Sequence, residues 1–414
     1  MKSSHLINFG LVVVSTMLAL LVLEWLVFPM VLPRLPLSQH SYLGKLRVLV
    51  QSSKAAMTPK DYIALVGDSY AQGSGDWLLD TDPDSNGPFH SAHVIRELTG
   101  RDVISFGKGG TGSLEGIVER PLKQFRYITG SPWYSLETPR TILAYVYEGN
   151  DFDNNLRTLR KAGLILEDGT ILATGAKIET LVAERAEGGT GIFGIAFAPA
   201  LNFSGRALLG TIKWAFDRAL EWGLNKNGLG EEKGRKCHKG WTTPNGDVLI
   251  PTIALVNGER ITLCDKLQGP SLELTEPEVN VSALLLKASL AALRDAFPTS
   301  EMVVVYLPSP LGTYRLVSET VSNQSHQKRQ FEFPVEAVAA RSNPMCRIVR
   351  DAAAATGAGF LDTRPALREV AERQVVHGPK DWGHYNRVGY ETLARAIYDY
   401  LKAGELAVGD CATI

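Results

Sequence analysis

The hydrophobic pattern of the chain begins with one long apolar stretch. No charged residue lies between residues 6 and 23, and apolar residues continue to residue 32 around a single acid, Glu24. At about 1.5 Å per residue, a helix of this length can cross a hydrocarbon core of roughly 30 Å. We therefore predict an uncleaved N-terminal membrane anchor over residues 1–33. A cleaved signal peptide and a buried helix of a soluble protein are the alternatives.

Short apolar runs alternate with helix-like segments over much of the remaining chain. Strands are predicted at 62–66, 103–106, 141–147, 302–307 and 359–361. Helices are predicted at 92–98, 282–296, 346–356 and 390–401, the last with Asn386 as its cap. This alternation predicts an α/β fold, a three-layer sandwich around a central parallel sheet.

Two segments depart from this alternation. Residues 34–60 are polar and contain prolines, which predicts a tether between membrane and domain. Residues 158–280 predict an inserted subdomain with a β-hairpin around Asn257-Gly258. Its amphipathic segment 207–222 is expected to pack on the core, with the membrane surface as the alternative. The α/β domain would then comprise 61–157 and 281–404, followed by a tail at 405–414.

Charge and cysteine content narrow the setting of the protein. The net charge is −1, so no strong positive field favours nucleic acid as a partner. Four cysteines, an even number, are compatible with disulfides in an oxidising compartment or with four reduced thiols. We predict a Cys237–Cys264 disulfide, because these residues flank the hairpin. A Cys346–Cys411 pair is less favoured, because Cys411 lies in the predicted tail.

Residues suited to acyl transfer follow the predicted strands. Ser69, Gly110 and Asn150 come after the first three, and Asp381 and His384 precede the last helix. Ligands bind beyond the carboxyl ends of strands in open parallel sheets, so these residues are expected to converge. Serine is a nucleophile when histidine takes its proton, and a carboxylate orients the histidine. A glycine amide and an asparagine side chain can stabilise an oxyanion.

The same motifs resemble those of the SGNH/GDSL hydrolase family. In family order, the matching blocks are Gly67-Asp68-Ser69-Tyr70, Gly110, Asn150-Asp151 and Asp381-Trp382-Gly383-His384. The resemblance covers 61–157 and 282–402 and implies an SGNH/flavodoxin-like sandwich. One position departs from the pattern, because Glu148 stands where the first glycine of the third block is expected.

The resemblance also implies roles for these residues. Ser69 would attack an ester carbonyl, His384 would act as base, and Asp381 would orient His384. Backbone amides of Ser69 and Gly110, with the Asn150 side chain, would form the oxyanion hole. No cofactor and no metal are implied.

These features predict a membrane-anchored serine esterase. The expected substrates are O-acyl esters, with acetyl groups on an envelope polysaccharide or other carbohydrate in first place. The alternatives are an O-acyltransferase that modifies an envelope glycan and a non-catalytic scaffold on the same fold. In the transferase case, Trp214, Trp222 and Trp241 could stack on sugars.

The expected location is the inner (cytoplasmic) membrane, with a single span and a periplasmic domain. The flanking charges do not decide the orientation, because Lys2 precedes the span and Arg34, Lys45 and Arg47 follow it.

Overall fold

The structure is a computed structural model that describes residues 2–130, 134, 136–188, 203–226, 251–263, 267–324, 330–404 and 407–413. Its strands are, in chain order, β1 (Ile63–Val66), β2 (Val103–Ser105), β3 (Thr141–Tyr147), β4 (Ile253–Val256), β5 (Glu259–Thr262), β6 (Glu301–Leu307), β7 (Arg315–Leu316), β8 (Thr320–Gln324), β9 (Gln330–Pro334) and β10 (Gly359–Asp362). The predicted strands are confirmed.

Five of these strands form the central sheet, in the order β2-β1-β3-β6-β10. Every neighbouring pair is parallel, which confirms the predicted α/β fold. The chain moves from β1 to β2 at one edge and then returns to β3 on the other side of β1. The crevice beyond the carboxyl ends of β1 and β3 is therefore the topological switch point of the sheet, where ligands bind in open α/β folds.

Both faces of the central sheet are covered. Side chains alternate along each strand, so that Ala64 and Val66 join one core and Ile63 and Leu65 join the other. The first core includes side chains of the helices Glu276–Ala296 and Glu336–Ala355. The second includes side chains of three other helices, Ser91–Thr99, Arg364–Ala371 and Arg387–Lys402. Three layers result, and burial on both faces explains why the strands are apolar throughout.

The α-helices of the described residues are Lys2–Val22, Phe28–Val31, Leu37–His40, Ser69–Gln72, Asp76–Asp80, Ser91–Thr99, Arg120–Thr129, Asp151–Lys161, Gly175–Glu187, Phe203–Lys226, Glu276–Ala296, Pro310–Thr313, Glu336–Ala355, Arg364–Ala371 and Arg387–Lys402. The stretches Leu23–Val27 and Leu114–Glu119 are π-helical, and Leu32–Arg34 and Ser41–Val48 are 3-10 helical. The four predicted core helices are confirmed, and all four start earlier than predicted, by one to ten residues. Asn386 caps the last helix through a 3.1 Å bond from the Gly389 N–H.

The N-terminal residues form an almost unbroken helix. The segment Ile7–Arg34 contains an 18-residue window with a mean hydropathy of 2.5 and is largely exposed, so it is long and apolar enough to cross a membrane. A signal sequence has the same properties. Its C-terminal end contacts the domain, because Phe28 and Leu32 are buried in the main core and Tyr134 donates to the carbonyl of Glu24.

Residues 34–60, here called the juxtamembrane segment, are not the free tether that we predicted. Leu43, Leu46 and Leu49 are at most 4% exposed and belong to the main core. The Gln51 side chain accepts from the Ser105 N–H at 2.8 Å and donates to the Ser105 carbonyl at 2.6 Å, beside β2. The segment is polar on average, but its leucines recur every three residues and form one apolar face.

The described parts of the insertion 158–280 pack on the core in separate places. Gly175–Glu187 packs on the helix Glu276–Ala296, and Phe203–Lys226 packs on the juxtamembrane segment. The hairpin is confirmed, with β4 and β5 joined by Asn257-Gly258, and β7 extends it to three strands. Its first strand starts at Ile253.

The C-terminal residues are also attached to the domain, which corrects the prediction of a tail. Cys411 forms a disulfide with Cys346, with 6.0 Å between their Cα atoms. Phe360 of β10 donates to the carbonyl of Ala407 at 3.1 Å. The less favoured cysteine pair is therefore the one that the structure forms. Cys237 and Cys264 lie outside the described residues, so a disulfide between them stays a prediction.

Candidate active site

Ser69, His384 and Asp381 form one hydrogen-bonded chain at the switch point of the sheet. Nε2 of His384 lies 2.8 Å from Oγ of Ser69, and Nδ1 of His384 lies 2.7 Å from Oδ2 of Asp381. Ser69 is 6% exposed, and the side chains of His384 and Asp381 are 20% and 16% exposed. Solvent and small substrates can therefore reach the histidine and the edge of the serine. The structure thus brings Ser69 into contact with a loop that lies at least 312 positions further along the chain.

The turn after β1 presents Ser69. Gly67 has a φ of +139°, a conformation that favours glycine. Asp68 caps the short helix Ser69–Gln72, because its Oδ1 accepts from the Tyr70 N–H at 2.9 Å. The Tyr70 hydroxyl then donates to the carbonyl of Gly383 at 2.9 Å. This last bond joins the serine turn to the loop that carries His384.

That loop, residues 376–386, is called the His384 loop. Hydrogen bonds to Asp76 and Tyr314 fix its backbone. Asp76 accepts backbone N–H bonds from Asp381 at 2.5 Å and from Lys380 at 2.8 Å. The Tyr314 hydroxyl accepts the N–H groups of Val376 and His377 at 3.0 and 3.1 Å. These four bonds hold the backbone between Val376 and Asp381, which is the part of the loop that leads to the carboxylate and the imidazole.

In the glycine-rich loop after β2, Gly110 differs from the neighbouring glycines in the hydrogen bonding of its N–H group. The N–H of Gly107 donates to Ser105 Oγ at 3.2 Å, and that of Gly109 donates to Gln72 Oε1 at 2.6 Å. The N–H of Gly110 has no partner among the described residues. Gly110 has a φ of +74°, and its carbonyl accepts from Arg157 at 2.6 Å. Its N–H thus remains available to an oxyanion.

Asn150 lies after β3 and starts the helix Asp151–Lys161. Its side chain is buried, and its Oδ1 has no hydrogen-bond partner in the described chain. Buried polar atoms are normally paired, so this acceptor is suited to a donor group of a bound ligand. An oxyanion would need the Nδ2 donor of the same amide. The same helix holds the glycine-rich loop, because Asn154 Nδ2 donates to the Thr111 carbonyl at 3.1 Å and Asn155 Oδ1 accepts from the Ser113 N–H at 2.8 Å.

Glu148 points away from the serine. Its carboxylate accepts from the hydroxyls of Tyr306, Ser309 and Ser342 and from the Ser309 N–H, at 2.5 to 2.8 Å. It is completely buried. The departure from the family pattern therefore places a carboxylate within the fold and not beside the expected oxyanion. Gly149 remains a glycine because a Cβ there would collide with the Tyr147 ring.

Burial changes the ionisation of the groups around the serine. It raises the pKa of Asp68 to about 6, although the Tyr70 N–H bond and the charge of His384 act in the opposite direction. It also raises the pKa of Asp151 well above its usual range, and the charge of Asp68 adds to this shift. Burial lowers the pKa of His377 to about 3.

Sequence reasoning missed several supporting residues, above all Asp76, Gln72 and Tyr314. Their partners are backbone groups, and a side chain that accepts a backbone N–H leaves no motif in the sequence. The tryptophans proposed for sugar stacking gain no support. Trp214 packs on the juxtamembrane segment, where its Nε1 donates to Ser38 Oγ at 3.1 Å. The side chains of Trp222 and Trp241 lie outside the described residues.

Comparison with known proteins adds no relative to this picture. No protein-family model matches the chain, and no curated protein matches it.

Proposed function

We propose that the protein is a serine esterase of the SGNH/GDSL type that hydrolyses O-acyl esters. The observation that carries the proposal is the chain of short contacts from Ser69 Oγ through His384 to Asp381, at 2.8 and 2.7 Å. Histidine within reach of a serine hydroxyl, itself oriented by a carboxylate, is the arrangement that activates a serine nucleophile. No part of the proposed chemistry requires a cofactor.

The reaction proceeds in two halves. Ser69 Oγ bonds to the ester carbonyl carbon while its proton moves to His384 Nε2. The oxyanion receives hydrogen bonds from the backbone N–H groups of Ser69 and Gly110 and from the Asn150 side chain. When the carbon–oxygen bond to the alcohol breaks, His384 returns the proton to the leaving oxygen. Water then attacks the acyl-serine by the same route, giving the acid and free Ser69.

The setting that we propose is the outer side of a cytoplasmic membrane, with a single N-terminal span. The helix Ile7–Arg34 supports an anchor, and the Cys346–Cys411 disulfide supports an oxidising compartment such as the periplasm. Acyl groups on an envelope carbohydrate are then the accessible esters. The intact set of five site residues argues against a non-catalytic scaffold.

A fluorophosphonate probe tests the nucleophile. The full chain in detergent should be labelled at Ser69 and should turn over p-nitrophenyl acetate. Ser69→Ala should lose both properties and keep its circular dichroism spectrum. Ser74→Ala, five residues further along, should keep both. Labelling at another residue, or undiminished turnover by Ser69→Ala, would refute the assignment.

A sugar hydroxyl can replace water in the second half, which would make the protein an O-acyltransferase. Incubation with p-nitrophenyl acetate and oligosaccharides, followed by mass spectrometry, separates the two reactions. Free acetate with every acceptor supports the esterase. Acetylated oligosaccharide as the main product supports the transferase.

A further inference from the structure

A cavity of about 350 Å³ lies between the juxtamembrane segment and the α/β domain. The segment contributes residues 37–47 to its wall, and the domain contributes the start of the glycine-rich loop and the helix Arg120–Thr129. Five cationic side chains line it, namely Lys45, Arg47, Lys108, Arg120 and Lys123, and no lining residue is acidic. A concave site that is lined by positive charges concentrates anions.

Neighbouring acids offset only part of this charge. Glu115 pairs with Arg120 at 2.7 Å, and Glu119 pairs with Lys123 at 2.6 Å. Arg47 donates to two backbone carbonyls, of Gly107 at 3.4 Å and Gln72 at 3.3 Å, which leaves its charge uncompensated by a carboxylate. Lys108 is exposed and forms no ion pair among the described residues. The cavity therefore keeps a net positive charge.

The cavity is close to the candidate nucleophile. Gln72 lines it and ends the short helix that Ser69 begins. Lys108 lines it and precedes Gly109, where a Cβ would lie 3.6 Å from Cβ of Ser69. A substrate that extends from Ser69 past the contact between Gln72 and Gly109 would therefore reach the cavity.

We propose that this cavity binds an anionic group of the acyl ester substrate, a sugar carboxylate or a phosphate. This inference rests on the proposed function, because it assigns the class of substrate to the same site. Ammonium and guanidinium groups form strong charge-assisted hydrogen bonds with both oxyanions. The substrate is thus an O-acylated acidic glycan or an O-acylated glycan that carries phosphate.

Binding to the full chain in detergent tests the proposal without turnover. Ser69→Ala is titrated calorimetrically with oligogalacturonate as the carboxylate probe, pyrophosphate as the phosphate probe and xylo-oligosaccharide as the neutral control. We expect an anionic probe to bind, the neutral one not to bind, and added salt to weaken binding. The preferred anion identifies the source of the charge.

Two variants locate the binding. Lys45→Gln/Lys108→Gln should weaken binding about tenfold, since two charge-assisted contacts are removed. Lys161→Gln, an exposed lysine outside the cavity, should not change it. The proposal is overturned if no anionic probe binds, if the neutral probe binds equally well, or if both variants bind alike. Failure of fluorophosphonate labelling would instead reject the esterase and leave the anion site standing.

A separate observation concerns the helix Phe203–Lys226. One side packs on the juxtamembrane segment, where Ala207 is buried and the Trp214 Nε1 bonds to Ser38. Another side carries five large apolar residues that are 50% to 67% exposed, namely Leu208, Leu209, Ile212, Phe216 and Leu220. At about 100° per residue they cover an arc of roughly 120°. A helix of a soluble surface would be polar on this side.

We infer that this apolar side lies in the interface of the lipid bilayer. The helix contacts the end of the anchor at Leu23–Val27, and the anchor side chains there, such as Trp25 and Leu26, are also exposed. The apolar side of the helix therefore continues the surface that the anchor presents to lipid. Amphipathic helices of this kind bury their apolar side at the boundary of headgroups and acyl chains.

Photo-crosslinking in native membranes tests this inference with the full chain. A benzophenone amino acid at position 212 should form adducts with phospholipid, as should one at position 18 in the anchor. The same amino acid at position 213 should not, because Lys213 lies over the ring of Tyr42. Phospholipid adducts at 18 but not at 212, or equal adducts at 212 and 213, would overturn the inference.

Discussion

At the scale of single residues, the position of Asn150 depends on the absence of a side chain at its neighbour Gly149. The Tyr147 ring lies against Gly149, and this contact allows the chain to turn from β3 into the helix that Asn150 begins. Asn150 supplies a proposed oxyanion donor. The space beside Gly149 is therefore required for the geometry of the candidate site.

Gly149→Ala should destabilise the protein by about 1–3 kcal/mol, the usual cost of an overpacked position. Ester turnover should fall further than stability, because the added methyl group displaces Asn150. Denaturant unfolding and p-nitrophenyl acetate kinetics measure the two effects. Gly175→Ala is the control, since a Cβ at Gly175 meets no atom within 4 Å. Equal results for the two variants would contradict the prediction.

His377 is a buried residue of the His384 loop and is the second residue with a testable energetic role. Its Nδ1 lies 3.2 Å from the Tyr314 hydroxyl, and burial holds its pKa at about 3. The unfolded chain binds a proton near pH 6.5, whereas the folded chain does not until about pH 3. Acid therefore favours the unfolded state, and stability contributed by neutral His377 is lost as the pH falls from 6.5 towards 3.

His377→Gln should remove this part of the acid sensitivity. At pH 5 the wild type should have lost about 2 kcal/mol of unfolding free energy relative to pH 7.5 through this residue. Denaturant titrations of both proteins at the two pH values give the difference. A wild type and variant that respond to pH in parallel would show that His377 is not the source.

At the scale of structural elements, the candidate site depends on the contact between the helix Asp76–Asp80 and the His384 loop. Asp76 accepts the N–H groups of Lys380 and Asp381, and no ligand contact is needed for this role. Asp76→Ala should lower kcat by roughly 10- to 100-fold with little change in KM, because a small displacement of Asp381 and His384 impairs proton transfer.

Asp80→Ala provides a matched control in the same helix. Among the described residues, the Asp80 carboxylate pairs with the exposed side chain of Lys380 and accepts no N–H of the loop backbone. Its replacement should leave kcat within about twofold of the wild type. Equal kcat losses in both variants would indicate a general effect on the helix and not a positioning role for Asp76.

Elements differ in how well the sequence predicts them. The strands are continuous apolar runs that end in glycine or polar residues, and these local signals suffice. The helix Glu336–Ala355 begins ten residues before the predicted start. The prediction is late because Pro344 lies inside the helix, and a proline normally indicates a helix boundary. The Ser69, Gly110, Asn150 and His384 positions follow from element ends. The Asp76 contact does not, because it joins residues 305 positions apart through backbone groups.

At the scale of the whole molecule, the juxtamembrane segment and the C-terminal residues are both fixed to the α/β domain. The Cys346–Cys411 disulfide closes a loop with a sequence separation of 65 residues. The Ala412 N–H donates to Asp362 at 3.0 Å beside it. The last residues thereby cover the outer side of β10, which would otherwise be an open sheet edge.

Cys411→Ser should lower the unfolding free energy by up to about 4 kcal/mol, as expected from the chain entropy of a loop of this size. A lower denaturant midpoint would show the loss. Val408→Ala is a suitable control, because Val408 is in the same segment and 45% exposed. An unchanged midpoint for Cys411→Ser would mean that the other contacts of the segment suffice without the disulfide.

The sequence does not reveal that the juxtamembrane segment and the C-terminal residues are fixed to the domain. The juxtamembrane segment was predicted as a tether because its average polarity is high, although Leu43, Leu46 and Leu49 form a buried face. The sequence places Cys411 in a tail because the predicted last helix ends ten residues earlier, at residue 401. In both cases only the tertiary partner shows which residues are buried.

The packing of the juxtamembrane segment limits how far the domain can move from the membrane in the proposed topology. A flexible tether would let the domain sample a volume several nanometres deep above the bilayer. Here Phe28 and Leu32, at the end of the anchor, share a core with the domain. In that topology, Ser69 would be held at a constant height and would diffuse only in two dimensions. Substrate must come to that plane, so the rate should depend on the density of acylated chains at the membrane surface and not on their concentration in the surrounding volume.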